Sequence, residues 1–160
     1  MFRLVLLFVF LFVPAKATAK STVLVRDVIS YAGTLGFYDP TLVAAVAAVE
    51  SSFDEHAMAI SKGIPSYGLM QIQLGTARFV GFKGHPRDLL RWRVNVRAAV
   101  RYLDHLLKEY DYNVEAALAA YNAGKARRRR GRYINQGYVD KVIKQYRLLK
   151  GCQSIEVVSR

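Results

Sequence analysis

The chain has 160 residues and a formal net charge of +12, and 52% of its residues are hydrophobic, enough for one domain with a real core. Cys152 is the only cysteine, which excludes an internal disulfide, so that core has to hold without covalent staples. So basic a chain is expected to meet an anionic polymer: cell wall, membrane surface or nucleic acid.

The chain opens with Met1-Phe2-Arg3 and an apolar run from Leu4 to Val13, broken by Pro14 and followed by a small-x-small site at Ala17-Thr18-Ala19. This pattern reads as a secretory signal peptide over residues 1–19, leaving one domain over 20–160 that starts at Lys20. A membrane anchor would need ~20 apolar residues, and no cysteine follows the run for lipid attachment. Loss of Arg3 and Lys16 takes the net charge from +12 to +10.

No repeat or low-complexity linker divides the rest, and most segments keep helical periodicity. A first helix from about Ser21 puts Val25, Val28, Ile29 and Ala32 on one face and is expected to stop at Gly36. Asp39-Pro40 starts the second, with Asp39 as N-cap and proline in the first turn. Residues 51–82 are rich in serine and glycine and read as loop, with a short extended piece at Leu69–Gln73 and a short helix at Thr76–Val80. Val96, Ala99, Val100, Leu103, Leu107 and Tyr110 then form the apolar stripe of an amphipathic helix. Asn113 can cap an almost wholly apolar helix, Val114–Ala123, that ends at Gly124. A last helix turns Val139, Val142, Ile143, Tyr146 and Leu149 inward and is expected to stop at Gly151. The fold expected is mainly α, with one irregular element after the second helix.

Glu50 is the only charge in the run Pro40–Glu50 and shares a helix face with Val43 and Val46. Burial and the negative end of the helix dipole both disfavour its ionised form, so its pKa should be raised, as a general acid requires. A second apolar helix ends in Tyr121-Asn122, with Tyr121 on the stripe of Val114 and Leu118. A buried phenol and a buried carboxyl both need partners. Pairing Tyr121 with Glu50 satisfies both; two unrelated capping residues is the bland alternative.

Three motifs, Val49-Glu-Ser-Ser-Phe53, Tyr67-Gly-Leu-Met-Gln-Ile72 and Ala119-Ala-Tyr-Asn-Ala-Gly124, occur in an order and spacing that resemble the soluble lytic transglycosylase family of lysozyme-like, peptidoglycan-cleaving enzymes. The resemblance extends from about Tyr38 to Val142. It implies a lysozyme-like fold with Glu50 as the single catalytic acid/base and Tyr121 as the residue that orients it. It also implies a substrate-contacting set of Ser61, Met70, Gln71 and Asn122, although Met70 can equally pack into the core. Further implications are cleavage of the bond between N-acetylmuramic acid and N-acetylglucosamine to leave 1,6-anhydro ends, peptidoglycan strands as partner, no cofactor and a periplasmic location. Service to a secretion, conjugation or other envelope-spanning machine is an expectation by analogy.

The sequence departs from the family pattern in places. Ile64-Pro-Ser-Tyr67 puts four residues between Gly63 and Gly68 where two are usual, Gln73-Leu74 replaces a Met-Pro, and no proline precedes Asn95 at Arg91-Trp-Arg93. Lys125-Ala-Arg-Arg-Arg-Arg130 stands where a glycine- and proline-rich turn is usual. Asp54 and Glu55 are candidates for a second carboxylate after Glu50, and activation of water by Asp54 would make the enzyme a hydrolysing lysozyme; a solvated or capping role fits them better. His56, His85 and His105 lack ligand-like spacing, so no metal is expected, and Trp92 is either a sugar platform or a half-buried helix residue. The arginine run comes with no recognisable nucleic-acid module, so no nucleic-acid partner is expected. The remaining alternatives are a non-catalytic wall- or assembly-binding protein and a basic nucleic-acid binder.

Overall fold

The computed structural model describes residues 19–158. The expected signal peptide, apart from Ala19, lies outside the described residues. Six helices carry the architecture: α1 Ala19–Thr34, α2 Pro40–Ser51, α3 Leu74–Phe79, α4 Trp92–Glu109, α5 Val114–Ala123 and α6 Gln136–Val158. A three-stranded antiparallel sheet, β1 Met58–Ser61, β2 Ile64–Tyr67 and β3 Ile72–Gln73, follows α2, and a small hairpin, β4 Arg128–Arg129 and β5 Arg132–Tyr133, separates α5 from α6. A 3₁₀ turn at Pro86–Leu90 precedes α4. The mainly α expectation holds, and no helix among the described residues is long and apolar enough to cross a membrane.

Two short apolar helices form the centre. Residues Thr41–Ala47 of α2 and Ala116–Ala120 of α5 are buried on every side. Their alanines let neighbouring backbones approach closely, and the valines and leucines of α1, α4 and α6 fill the remaining space. α2 packs against α1 and α6, and α5 against α4 and α6. Both expected N-caps are present: Asp39 Oδ1 accepts from the Thr41 amide (3.2 Å) and Asn113 Oδ1 from the Ala116 amide (3.0 Å).

Three expectations need correction. Residues 51–82 contain more order than a loop, because Ile64-Pro-Ser-Tyr67 pairs with both neighbours, Ala59 opposite Ser66 and Tyr67 opposite Ile72. Only Ile72 and Gln73 of the expected piece 69–73 are extended; Leu69 to Gln71 form a tight connection instead. Gly151 does not end α6, which runs on to Val158. A helical glycine costs about 1 kcal/mol relative to alanine, which a long helix can absorb.

The tight connection is held by Asn95, whose side chain is completely buried in the first turns of α4. Its Oδ1 accepts from the Met70 amide (2.7 Å), and its Nδ2 donates to the carbonyls of Tyr67 (2.7 Å) and Leu89 (2.8 Å). Gly68 lies against this side chain with φ of 66°, and a Cβ there would sit 2.5 Å from the Leu89 oxygen and 2.9 Å from Asn95 Nδ2. Asn95→Ala leaves buried backbone groups of Tyr67, Met70 and Leu89 without partners, so we expect a loss of about 3 kcal/mol or more in urea unfolding.

Candidate active site

Glu50 lies in the last turn of α2. The chain leaves the helix through Ser52 and Phe53, both in the left-handed region (φ 55° and 67°), and so turns at once toward the sheet. Ser51 fixes this exit, its Oγ donating to the carbonyl of Leu69 (2.8 Å). Glu50 is itself largely buried, and Oε1 accepts a hydrogen bond from the Tyr138 hydroxyl at the start of α6 (2.7 Å). Burial pushes the Glu50 carboxyl up to about 7, against the Tyr138 hydrogen bond, which acts to lower it.

Tyr121 belongs to the same site but plays a different part from the one expected. Its hydroxyl donates to the Met70 carbonyl (2.9 Å), so its one proton is committed to the backbone rather than to Glu50. Tyr121 is nonetheless close enough to feel the Glu50 charge. Burial, then Glu50, then Tyr102 hold its pKa well above the ordinary range. Tyr138 is likewise raised, by burial first and then by Glu50 and Tyr121. Both phenols therefore stay protonated, Tyr138 donating to the Glu50 carboxyl and Tyr121 to the Met70 carbonyl.

Tyr138 is the functional residue that sequence reasoning missed. Its position four residues before Val142 and eight before Tyr146 put it on the inward stripe of the last helix, which is the signal that could have found it. Its partner, 88 residues away in the chain, left no trace in local pattern.

The expected substrate-contacting residues divide. Gln71, with φ of 46°, turns its Nε2 onto the carbonyls of Gly68 (2.9 Å) and Ala57 (3.1 Å), which leaves Oε1 as an acceptor for an incoming hydroxyl or amide. Asn122 is exposed beside Tyr121; its Oδ1 accepts from Asn135 Nδ2 (2.9 Å), leaving its own amide nitrogen outward as a donor. Ser61 is exposed at the end of β1 next to the Lys62-Gly63 turn, and no hydrogen bond ties it to the others. Met70 requires correction. Its side chain is completely buried in the core, and only its backbone serves the site, the amide held by Asn95 and the carbonyl by Tyr121.

The other sequence candidates make contacts of their own. Asp54 is exposed and its Oδ1 accepts from the His56 amide (2.9 Å) in a local turn. Trp92 packs edge-on against Tyr31 of α1 (5.6 Å between ring centres) under the Arg93 guanidinium, a structural cluster between α1 and α4. Among the described residues no three His, Cys, Asp or Glu side chains converge as metal ligands would.

Glu50, its pKa raised to about 7 and its carboxyl held by the Tyr138 hydroxyl, lies in a chain that a known domain model matches. The transglycosylase SLT domain model covers residues 27–143. The chain belongs to the transglycosylase SLT domain family. The solved structures support the same lysozyme-like fold. An inactive mutant of the lytic transglycosylase Slt from Pseudomonas aeruginosa superimposes with a TM-score of 0.69 at 20% identity, over 81% of this chain and 24% of the other. The 70 kDa soluble lytic transglycosylase from Escherichia coli matches with a TM-score of 0.51 at 23% identity, over 78% of this chain and 18% of its own length, and has also been solved in complex with bulgecin A. The chain thus spans a quarter or less of these proteins.

For the SLT domain described here, two outcomes follow from the electrostatics of Glu50. Tyr138→Phe removes the interaction that lowers the Glu50 pKa, so the carboxyl should titrate above about 7, which carbon-detected NMR of the labelled side chain reads directly. The second is a stability effect. The folded state holds the Glu50 proton more tightly than the unfolded chain, whose value is 4.5, so this contribution is fully present below pH 4.5 and is lost as pH rises to about 7. Glu50→Gln keeps the neutral form at every pH. It should therefore be more stable than wild type at pH 8, by on the order of 3 kcal/mol, with the difference closing below pH 4.5 in urea titrations.

Proposed function

We propose that this SLT domain is a peptidoglycan lytic transglycosylase that uses one carboxyl as acid and then as base. The observation that carries the reading is Glu50 itself: a carboxyl raised to about 7 and held by Tyr138 at 2.7 Å. A group titrating near neutral pH can both give up a proton and take one back within a single turnover.

In the first step, protonated Glu50 gives its proton to the glycosidic oxygen as the bond from C1 of N-acetylmuramic acid to N-acetylglucosamine breaks. The N-acetyl group of the muramic acid stabilises the cationic C1. In the second step the Glu50 carboxylate accepts the proton of the C6 hydroxyl on the same sugar, whose oxygen bonds to C1 and closes a 1,6-anhydro ring. The carboxyl is then protonated again and no water has been consumed, so no second carboxylate is needed. Tyr138 fixes the orientation of Glu50, while Tyr121 sets the segment that carries Gln71. An open depression lined by Phe79, Tyr102 and His105 adjoins Tyr121 through a Tyr102–Tyr121 ring contact of 5.6 Å and offers an aromatic wall to a sugar.

The same proposal includes export by the leader read at residues 1–19, a periplasmic location and, by analogy alone, local wall opening for a secretion or conjugation assembly. Hydrolysis is the competing chemistry, and Asp54 is the residue on which it would depend. Digestion of purified sacculi followed by mass analysis of the products tests both. We expect anhydro rather than reducing ends, no turnover by Glu50→Gln, and retained turnover by Asp54→Asn. Reducing ends together with an inactive Asp54→Asn would establish hydrolysis instead.

A further inference from the structure

The arginine run folds into the β4–β5 hairpin, with Arg128 opposite Tyr133 and Arg129 opposite Arg132. Arg130 and Gly131 at its tip both have positive φ (52° and 78°), as a tight two-residue hairpin turn requires. Two features work against its stability. Arg129 and Arg132 set like charges directly across the ladder, which is unfavourable. Arg130 occupies a left-handed position that glycine, asparagine or aspartate fills at lower cost. The guanidinium groups of Arg127, Arg129 and Arg130 make no ion pair or hydrogen bond among the described residues, and Arg132 reaches only Asp140, at 3.8 Å.

Several contacts support these charges from beneath. The Arg128 guanidinium lies over the Tyr133 ring (4.4 Å to its centre) and donates to its hydroxyl (2.8 Å), and Tyr133 is only 6% exposed. Ala126 donates to the Tyr110 hydroxyl (3.2 Å), and Ile134 closes the hairpin onto the Arg127 carbonyl (3.0 Å). At the base, Asn135 donates to the Ala119 carbonyl (3.0 Å) and to Asn122 Oδ1 (2.9 Å). The hairpin therefore leaves α5 just after Tyr121 and Asn122 and enters α6 just before Tyr138, the partner of Glu50. It joins the two helices that wall the acid.

We propose that this hairpin docks the carboxylates of the peptide stems carried by the glycan strand, making it a specificity element of the active site. The inference rests on the reading of peptidoglycan as substrate. A stem peptide offers several carboxylates within a few residues of the sugar that bears it, and the guanidinium fork pairs with a carboxylate through two parallel hydrogen bonds. Bound carboxylates also relieve the Arg129–Arg132 repulsion, which gives the unfavourable pairing a use. A membrane surface or nucleic acid would also satisfy the charge, but neither accounts for the attachment of the hairpin to Asn122 and to the helix of Tyr138.

The test uses the Glu50→Gln protein, so that binding is measured independently of cleavage. The probes are tetrasaccharide muropeptides with free stem carboxyls and the same molecules with those carboxyls converted to primary amides. Replacing Arg129, Arg130 and Arg132 by alanine leaves the Arg128–Tyr133 seat intact and should weaken binding of the carboxylate form by about tenfold. It should leave binding of the amidated form unchanged. Arg129→Lys, Arg130→Lys and Arg132→Lys together should recover part of the loss. Equal effects of the alanine variant on both probes, or the same loss from replacing Lys83, Arg87 and Arg91 by alanine, would overturn the proposal in favour of non-specific charge. Hairpin-dependent binding of duplex DNA tighter than that of the muropeptide would overturn it in favour of a nucleic-acid surface. Absence of cleavage by the wild type is a separate outcome that bears on the reaction and leaves the contrast between the two probes readable.

Discussion

The site depends on one buried amide. Asn95 holds the tight connection between β2 and β3 by three hydrogen bonds to backbone, and that connection is where the separate parts of the protein meet. Ser51 of α2 reaches the Leu69 carbonyl, Tyr121 of α5 reaches the Met70 carbonyl, and Gln71 projects from its end. A backbone segment without regular pairing would otherwise expose unsatisfied groups inside the core. Supplying those groups from three helices turns that cost into a fixed geometry. Gly68 is required for the same reason, since any side chain there would occupy the space of the Asn95 amide.

Around this anchor the electrostatics are simple. Glu50 is surrounded by apolar helix and by phenols that remain protonated, so little in its immediate shell stabilises a negative charge except the Tyr138 hydrogen bond. Burial wins over that hydrogen bond, and the carboxyl settles near neutrality instead of deep in the acid range. The excess positive charge of the chain is kept away from direct contact with the carboxyl. A guanidinium there would lower the Glu50 pKa and remove its ability to act as an acid.

Much of this was legible in the sequence because it was local. The apolar run of α2 marked Glu50, Asp39 and Asn113 announced their helices, and the order of three motifs gave the family. What escaped was set by contacts between distant segments. Tyr138 has a side chain like any other inward tyrosine, and only the packing of α6 on α2 brings it to Glu50. Met70 could be read either as a substrate contact beside Gln71 or as core, and it is completely buried in the core. The β4–β5 hairpin was hidden because four arginines in a row carry no strand signal; Gly131 and the inward Tyr133 define it.

The distance in sequence between Glu50 and Tyr138 also bears on how the protein comes into being. A chain growing from its N-terminus makes the acid early and the residue that orients it late. Until α6 has docked, α2 lacks one of its two main helical neighbours, and Glu50 faces solvent where the phenol will later sit. With that burial incomplete, the carboxyl moves back toward the pKa of an ordinary glutamate. The raised pKa of Glu50 therefore belongs to the completed fold, and a chain ending before α6 carries the Glu50 motif without the burial that α6 contributes to it. The packing of α6 thus supplies both opposing influences on Glu50, the burial that raises its pKa and the Tyr138 hydrogen bond that moderates it.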